Sequence, residues 1–444
     1  MKRLVSLWRG ILKPGVLPCL FSSTLLVAVA VLFAAPLVAQ QQEPTSQRAL
    51  PSEFVIFPWG GMPGDLATSE SWGPLRGDIP DINAAMKDLY DCGFNVSGFT
   101  GPQNLKPIRN NRLVGILADI RDNAINVNEE ITPEEADKRI QNLLGGITDP
   151  EDRKAVFAIY LRDEPSAALF PKLSIWSEAV KKQGLLPYIN LYPELAKAHQ
   201  LGTKDYQEHL DQYVEICKPP YISYDNYSLY ADGTFNEDDF YSNLESIRNK
   251  SLGAKIPFWN VILSNTHFEF AEPSDATLAV QAYSTLAYGG RGIGYFTYYT
   301  PQVGNYRLAP IDRFGHRTKT WGMVRNINLQ IHSLVPVYGK LTSVNVFHIG
   351  NIPRHAKGIE SAKLIASAGR GSQSLLVGEF VDPDGKPYAM IVNKSIRSSI
   401  RLVNVAFKSG GQVQAVSSYN MGVIPFSGEQ CWLAPGYGVL LTCQ

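Results

Sequence analysis

The chain has 444 residues, of which 45% are hydrophobic and 18% are charged, so its composition is that of a globular protein and not of a disordered one. Its 41 basic residues balance 41 acidic residues, and no run of Lys or Arg forms the basic surface that nucleic-acid binding requires. We therefore expect no nucleic acid among its partners. A chain of this length is long for a single core, which predicts a large domain and a smaller one.

Residues 1–39 have the pattern of a secretory signal peptide. The basic start MKRLVSLWRGILKPG precedes the apolar run LPCLFSSTLLVAVAVLFAAP, and Ala39 is a small residue before a polar stretch. We expect cleavage after Ala39, a linker over residues 40–52 and an exported protein, periplasmic or extracellular. Because the basic start is long, an uncleaved N-terminal anchor is the alternative, and we predict no other contact with a membrane.

Between residues 53 and 341 the chain alternates between short apolar runs and helical patterns. We predict the eight apolar runs as strands because they are short and are separated by segments of helix length. They cover residues 53–61, 95–101, 112–121, 156–161, 185–194, 220–230, 256–265 and 293–301. The clearest helix start is TPEE at residues 132–135, which follows the third strand.

The eight runs are apolar throughout and do not alternate, which is typical of parallel strands buried on both faces. Eight strand–helix units over residues 53–341 predict an α/β fold, specifically a (β/α)8 TIM barrel. No GxGxxG or GxxxxGKS/T motif follows the first strand, which argues against a nucleotide-binding open sheet.

The pattern changes at residue 342, after which strand-like runs are joined by turn signals such as DPDG at residues 382–385. We predict a small antiparallel β-sandwich over residues 342–444. Cys431 and Cys443 flank its last hairpin, so a disulfide is one alternative in an exported domain and free thiols are the other. Because no Cys or His cluster has metal-ligand spacing, we predict neither a metal site nor a cofactor.

The fourth strand ends in Arg162, Asp163 and Glu164, at the kind of position where barrel enzymes place their chemistry. Adjacent carboxylates raise each other's pKa, and glycoside hydrolysis needs a carboxylic acid of raised pKa with a second negative group across the sugar. We predict Glu164 as the general acid, and Asp163 or Asp225, at the sixth strand tip, as the second carboxylate. The alternative is that Asp163 caps the next helix and Glu164 pairs with Arg162 or another basic neighbour.

The other strand tips are mainly aromatic and polar. Trp and Tyr rings suit the apolar faces of sugar rings. The predicted substrate-binding residues are Trp59, Arg162, Tyr192, Tyr224, Tyr227, Asn265, His267 and Tyr298, and Asp119 and Arg121 end the third strand. Each aromatic residue could instead pack at the barrel mouth, and His267 could instead hydrogen-bond its own loop. The expected partner is an oligo- or polysaccharide substrate, and the oligomeric state is left open.

The barrel, the segment YLRDEP, the segment QAYSTLAYGGRGIGYFTYYTP at residues 281–301 and the segment GYGVLL together resemble bacterial exported glycoside hydrolases with a (β/α)8 barrel. The resemblance covers residues 53–444. The large retaining clan of these enzymes implies Glu164 as acid/base, but it has Asn where this chain has Asp163. It also has a nucleophilic Glu at the end of strand seven, where this chain has ILSN.

An Asp-Glu pair at strand four instead resembles families that cleave N-acetylhexosaminides with help from the 2-acetamido group of the substrate. That resemblance implies Glu164 as the general acid and Asp163 as the residue that orients the acetamido group. The leading hypothesis is therefore an exported glycoside hydrolase acting on a β-linked glycan.

Two other functions stay open. A non-catalytic carbohydrate-binding barrel at the cell surface is favoured by the missing carboxylate at the seventh tip and opposed by Glu164. A barrel hydrolase for a non-sugar ester or amide has less support, because the chain has no GxSxG elbow.

Overall fold

A computed structural model describes residues 48–60, 81–118 and 124–444 of the chain. The predicted signal peptide at residues 1–39 and most of the predicted linker at residues 40–52 lie outside the described residues. Within the described residues, no helix combines the length and the apolar character needed to span a bilayer.

Eight parallel strands form one sheet in the order β1-β8-β7-β6-β5-β4-β3-β2. These strands are β1 (Val55–Trp59), β2 (Val96–Thr100), β3 (Val114–Leu117), β4 (Val156–Asp163), β5 (Leu186–Leu191), β6 (Ile222–Asp225), β7 (Phe258–Leu263) and β8 (Gly292–Phe296). This order and the parallel pairing are those of a (β/α)8 barrel, so the predicted fold class is confirmed.

The seam between β1 and β2 closes the ring. The backbone N–H of Asn95 donates to the carbonyl of Ile56 at 3.2 Å, and that of Phe99 donates to the carbonyl of Gly60 at 3.0 Å. The Asn95 side chain also accepts from the N–H of Ile56 at 2.8 Å. Gly98 is required at this seam, because a Cβ there would lie 2.3 Å from the carbonyl oxygen of Gly60.

Helices surround the barrel. Those in the described residues are α1 (Ile82–Asp91), α2 (Leu105–Asn110), α3 (Pro133–Gly145), α4 (Pro150–Lys154), α5 (Phe170–Lys181), α6 (Ala198–Leu201), α7 (Tyr206–Cys217), α8 (Glu237–Ala254), α9 (Asp275–Ala287) and α10 (Lys319–Tyr338). The predicted start of α3 is confirmed, since the Thr132 hydroxyl accepts from the N–H of Glu135 at 3.2 Å. The short helix α4 was not predicted; the side chain of Asp149 caps it by accepting from the N–H of Glu151.

Residues along each barrel strand alternate between the barrel interior and the helices. On β6, Ile222 and Tyr224 pack in the core shared with the helices. Ser223 lies between them and contacts Tyr188, which belongs to the core inside the barrel. Asp225 therefore faces inward, because side chains two residues apart on a strand share a face.

Antiparallel strands follow the barrel, as predicted. Six of them form one sheet in the order β16-β15-β18-β12-β11-β9, and two ribbons pair β10 with β14 and β13 with β17. The strands are β9 (Thr342–Ile349), β10 (Ile365–Ser367), β11 (Leu375–Val381), β12 (Pro387–Asn393), β13 (Ile400–Arg401), β14 (Ala406–Phe407), β15 (Val413–Val416), β16 (Val423–Pro425), β17 (Trp432–Leu433) and β18 (Gly438–Cys443). The apolar core between the sheet and the ribbons makes this a two-layer sandwich.

The sandwich packs directly on the barrel. Gly378 of β11 lies against the C-terminal end of α9, where an added Cβ would come 1.9 Å from the carbonyl oxygen of Ala287. Nearby, the fully buried Lys394 ammonium donates to Glu237 of α8 at 2.7 Å. Both Cys431 and Cys443 are free thiols, so the disulfide alternative is not formed.

Candidate active site

The carboxylates of β4 and β6 meet at the barrel mouth, the end where the carboxyl ends of the eight strands lie. Asp163 is in register with Asn190 of β5, and Asn190 is in register with Ser223 of β6. The Asn190 side-chain amide donates to Asp163 Oδ1 at 3.2 Å and to Asp225 Oδ1 at 2.7 Å. The same nitrogen contacts both oxygens. The distance between Asp163 Oδ1 and Asp225 Oδ1 is therefore at most the sum of the two hydrogen-bond lengths.

A chain of donors fixes the orientation of the Asn190 amide. The Ser223 hydroxyl donates to Asn190 Oδ1 at 2.8 Å, and the Tyr188 hydroxyl lies 3.3 Å from Ser223 Oγ. Since the Ser223 proton points to Asn190, the Tyr188 hydroxyl is the donor in the second contact. All three side chains are buried. The amide therefore presents its NH2 group, and not its oxygen, to the two carboxylates.

Glu164 follows β4 directly and has an unusual backbone conformation. Its φ is +45°, in the left-handed region, which costs a non-glycine residue about 1–3 kcal/mol. Its N–H donates to the carbonyl of Asn190 at 2.8 Å, which ties the residue to β5. The Glu164 carboxyl group makes no hydrogen bond within the described residues. The strained backbone therefore presents a carboxyl group that is free to meet a ligand.

Burial raises the pKa of all three carboxyl groups, and neighbouring carboxylate charges raise those of Glu164 and Asp225 further. Burial raises the pKa of Asp163 to about 6, against the opposing effects of the Asn190 amide and the Arg162 guanidinium. Burial and the charge of Asp163 raise the pKa of Glu164 to about 7. Burial and then the charges of Glu164 and Asp163 raise the pKa of Asp225 well above its ordinary value. Near neutral pH the cluster therefore retains protons, which is what a general acid requires.

Two predicted aromatic residues lie close to these charges. Burial and the charges of Asp225, Asp163 and Glu164 raise the pKa of the Tyr227 hydroxyl. Burial and the charge of Glu164 raise the pKa of Tyr192, which is partly exposed after β5. Both phenols therefore lie beside the carboxylates, one inside the mouth and one at its rim.

Aromatic rings from β1, β2 and β8 and from the loop after β6 form a wall at the mouth. The ring of Trp59 lies 5.2 Å from that of Phe99 and 5.2 Å from that of Phe296. The ring of Tyr227 lies 5.4 Å from that of Phe296. Phe296 therefore links Trp59 to Tyr227 and makes the wall continuous.

His267 extends the wall in the loop after β7. Its ring is buried and stacks on Tyr306, with 4.6 Å between centroids and 4° between planes. Thr297 Oγ1 donates to the carbonyl of Tyr299, so it accepts from the Asn265 amide at 3.0 Å. Asn265 Oδ1 must then accept from His267 Nδ1 at 2.9 Å.

This network fixes the chemistry of the imidazole. Burial lowers the pKa of His267 to about 4, so the ring is neutral at ordinary pH. With its proton on Nδ1, the ring keeps a lone pair on Nε2, which makes no hydrogen bond within the described residues. Asn265 is fully buried and hydrogen-bonded to Thr297 and His267, so its side chain positions His267.

Two predicted substrate-binding residues lie elsewhere. Tyr224 faces the helices because its neighbour Asp225 faces inward, and its buried hydroxyl has no partner among the described residues. Tyr298 packs against Phe94, and its hydroxyl donates to Asp88 of α1 at 2.6 Å. The expectation that these two rings line the mouth is wrong, because each belongs to the core between the strands and the helices.

Arg162 lies beside the cluster in a partly buried position, and its Nε is buried without a hydrogen-bond partner among the described residues. Its charge opposes the rise in the pKa of Asp163. The alternative interpretation requires Glu164 to pair with a basic residue such as Arg162. No ion pair joins Arg162 to Glu164 in the described residues. Asp119 and Arg121, which end the predicted third strand, lie outside the described residues.

Sequence reasoning assigned no role to the residues that organise the site, although Asn190 stands at a predicted strand tip. Asn190, Ser223 and Tyr188 form the network under the carboxylates, and Phe296 joins the aromatic wall. Asn190 had a detectable signal, because it lies one residue before the end of β5, the strand between those that carry Asp163 and Asp225. Ser223 and Tyr188 carried none, since a polar atom inside a barrel strand does not reveal its partner.

Two other features of the described residues do not compete with this site. Within the described ranges, no group of three His, Cys, Asp or Glu side chains could hold a metal ion. A cavity of about 630 Å³ is lined by Trp259, Tyr221 and Pro257. This cavity opens at the amino ends of the strands. In (β/α)8 barrels the residues at that end contribute to stability, whereas the active site lies at the opposite end.

No protein-family model matches the sequence. No curated protein matches it either. Among solved structures, the chain is similar to a family 39 glycoside hydrolase from Bacteroides cellulosilyticus WH2, with 11% identity and a TM-score of 0.48 over 89% of this chain and 82% of that one.

It is also similar to a putative alpha-L-fucosidase from Bacteroides thetaiotaomicron, with 10% identity and a TM-score of 0.44 over 62% of this chain and 93% of that one. A third similar structure is the endo-beta-1,4-mannanase from Thermotoga petrophila, with 11% identity and a TM-score of 0.39 over 76% of this chain and 94% of that one. At these low values the similarity does not define the chemistry, which depends on the residues of this chain.

Proposed function

We propose that this protein is an exported glycoside hydrolase that cleaves a β-linked glycan, with Glu164 as the general acid. The observation that carries the proposal is the convergence of Glu164, Asp163 and Asp225 at the barrel mouth, where the pKa of Glu164 is raised to about 7. A carboxyl group with this pKa is partly protonated at neutral pH and can protonate a leaving oxygen.

The arrangement of Asp163 favours a substrate-assisted reaction on an N-acetylhexosaminide. Asp163 is the neighbour of the acid and is held in place by the Asn190 amide. Its pKa of about 6 lies below that of Glu164, so it is the one of this pair that ionises first as the pH rises. An ionised Asp163 can accept from the acetamido N–H while the acetamido oxygen attacks the anomeric carbon, which gives an oxazolinium and needs no enzyme nucleophile.

The seventh strand supports the same choice. β7 ends at Leu263, and the next two residues are Ser264 and Asn265, whose side chains hydrogen-bond within the protein. A retaining enzyme that uses its own nucleophile needs a second carboxylate near the acid. Asp225 is the alternative partner at the mouth, and it is the second choice because its pKa is raised well above the ordinary value by burial and by two carboxylates.

The aromatic wall supports a carbohydrate as the ligand. Trp59 and Tyr227 are partly buried and join through Phe296 into one aromatic wall, and Tyr227 lies in the field of the three carboxylates. Aromatic ring faces pack on the apolar faces of pyranose rings. Export is proposed from the predicted signal peptide at residues 1–39, and a mature chain that begins at Gln40 when recovered from the periplasm or medium would support it.

The test is hydrolysis of two matched sets of aryl β-glycosides, one with 2-acetamido groups and one with 2-hydroxyl groups. We expect turnover of at least one 2-acetamido substrate and retention of its anomeric configuration in the first product, followed by proton NMR. Turnover of 2-hydroxyl substrates alone would exclude substrate assistance. If the protein turns over neither set and no natural β-glycan, the proposal of glycoside hydrolase activity is excluded.

The second candidate function is a non-catalytic carbohydrate-binding barrel at the cell surface. The absence of a carboxylate in the segment Leu263–Asn265 favours it, because a barrel that has lost its nucleophile would have this tip. Glycan binding without cleavage of any substrate above would support this candidate in place of the first.

A further inference from the structure

An aromatic side chain projects from the loop after β7 into solvent. Phe268 is 67% exposed, whereas its neighbour His267 is 3% exposed. Single exposed hydrophobic residues are common on proteins, so this exposure alone carries no conclusion. Two features distinguish Phe268 from other exposed hydrophobic residues: the conformation of its backbone and its position beside the aromatic wall.

The backbone of Phe268 is held by a second loop. Its N–H donates to Asn305 Oδ1 at 2.8 Å, and the Asn305 amide donates back to the Phe268 carbonyl at 2.9 Å. Thr266 and Arg307 exchange two backbone hydrogen bonds of 3.0 Å between the same loops. The φ of Phe268 is +48°, which is uncommon for a bulky residue. The fold therefore holds this ring in water on a fixed backbone.

Phe268 continues a line of rings that starts at the carboxylates. Tyr227 lies in the field of Asp225 and its neighbours, and its ring is 6.1 Å from that of His267. The His267 ring is in turn 4.9 Å from that of Phe268. A single imidazole thus separates the exposed ring from the aromatic residue beside the proposed reaction centre.

We propose that Phe268 and His267 form a second sugar-binding position, next to the one at the carboxylates. The Phe268 ring packs on the apolar face of a second pyranose. His267 Nε2, which keeps its lone pair because Nδ1 donates to Asn265, accepts from a hydroxyl group of that sugar. The ligand class is a β-linked oligosaccharide of at least two units. This inference rests on the proposed function, since it takes the carboxylates as the first position.

The binding test uses the Glu164→Gln protein, in which hydrolysis of the ligand is slowed about 10²–10⁴-fold. Chitotetraose, cellotetraose, xylotetraose and mannotetraose are each compared with their own monosaccharide by isothermal titration. We expect at least one tetrasaccharide to bind about tenfold or more tightly than its monosaccharide. Adding Phe268→Ala should reduce that ratio about five- to tenfold, the range expected for one aromatic contact.

Two further variants separate the ring from general damage. Asn305→Ala keeps the Phe268 ring but removes its two hydrogen bonds, and it should reduce the ratio about two- to threefold. Tyr419→Ala removes a ring that is 76% exposed on the sandwich, and it should leave the ratio unchanged. Unaltered melting temperatures would show that each variant is folded.

The inference is overturned if no tetrasaccharide binds more tightly than its monosaccharide, or if Phe268→Ala leaves the ratio unchanged. It is also overturned if sedimentation shows a dimer that Phe268→Ala abolishes, because the ring would then join two copies of the chain. A wild-type protein that shows the binding gain but cleaves no glycan would contradict the proposed function and leave this binding position standing.

Discussion

Glu164→Gln separates proton donation from shape, because Gln keeps the size and hydrogen bonding of Glu but has no acidic proton. We expect cleavage of a natural glycosidic bond to fall about 10²–10⁴-fold, the usual contribution of a positioned acid. Cleavage of a 4-nitrophenyl glycoside should fall much less, since nitrophenolate leaves without a proton. Steady-state rates on both substrates measure this difference, with Glu429→Gln on the sandwich as the control.

The same variant has a pH signature. In the wild type, activity should fall as the pH rises through about 7, where Glu164 loses its proton, and as the pH falls through about 6, where Asp163 gains one. In Glu164→Gln the basic limb should flatten while the acidic limb stays. A basic limb that survives in the variant would assign the acid to another residue.

A substitution at Asp163 distinguishes substrate assistance from a mechanism in which Asp225 is the second catalytic carboxylate. Asp163→Asn should reduce kcat/KM far more for a 2-acetamido substrate than for its 2-hydroxyl counterpart. The charge-assisted hydrogen bond to the developing oxazolinium is worth on the order of 2–3 kcal/mol. Equal losses on the two substrates, compared as kcat/KM, would instead favour Asp225, which Asp225→Asn then tests.

At the scale of elements, Asn190 joins three neighbouring strands by serving a carboxylate on each side of β5. Its hydrogen bond lowers the pKa of Asp163, so Asn190→Ala should raise that pKa. We expect the acidic limb of the pH–rate profile to move to higher pH by on the order of one unit. Asn326→Ala on the exposed face of α10 is the matched control. An unmoved acidic limb would mean that Asp163 does not set it.

The succession of barrel elements was predictable, because buried parallel strands are apolar throughout and helices such as α3 carry their caps in sequence. The placing of tip residues was only partly predictable. Tyr224 and Asp225 are adjacent on one strand and face opposite sides, so the period of a strand alone excludes that both line the mouth. The Asn190 bridge depends on the registers of β4, β5 and β6, which no local pattern specifies.

At the scale of the whole molecule, the carboxyl cluster should make stability depend on pH. The pKa values of Asp163, Glu164 and Asp225 are raised in the folded state, so these three groups hold more protons in the folded chain than in the unfolded chain. Their contribution to the free energy of unfolding should therefore fall as the pH rises from about 4 to about 7. The buried His209, His267 and His332, whose pKa values burial lowers to about 4, contribute in the opposite direction. The carboxyl cluster stabilises the fold least in the pH range in which the proposed enzyme is active.

Asp225→Asn tests this consequence, since Asn can still accept from Asn190 but has no charge. It should stabilise the protein at pH 7 by on the order of 1–2 kcal/mol and have little effect at pH 4. Urea unfolding at the two pH values measures the difference, with Asp384→Asn in an exposed turn of the sandwich as the control. An equal effect at both pH values would show that the charge of Asp225 is not the cause.

The contact between sandwich and barrel gives a second prediction at this scale. Gly378→Ala places a Cβ against backbone atoms of Ala287, so a sheet or a helix must move. We expect a loss of about 1–3 kcal/mol in the free energy of unfolding. Gly371→Ala, in a loop with open space around it, should change stability by less than about 0.5 kcal/mol. Equal stability of the two variants would mean that the contact is loose.

The bare backbone contact at Gly378 also limits how such a protein can be rearranged. The helix α9 that it touches leads into β8, whose last residue, Phe296, stands in the aromatic wall. A foreign β-sandwich fused after α10 would need a residue without a side chain at this one point of its surface, or it would displace the helix and then the wall. Barrel and sandwich are therefore poor candidates for exchange as independent modules, and recombination between distant proteins of this architecture should preserve the pair together.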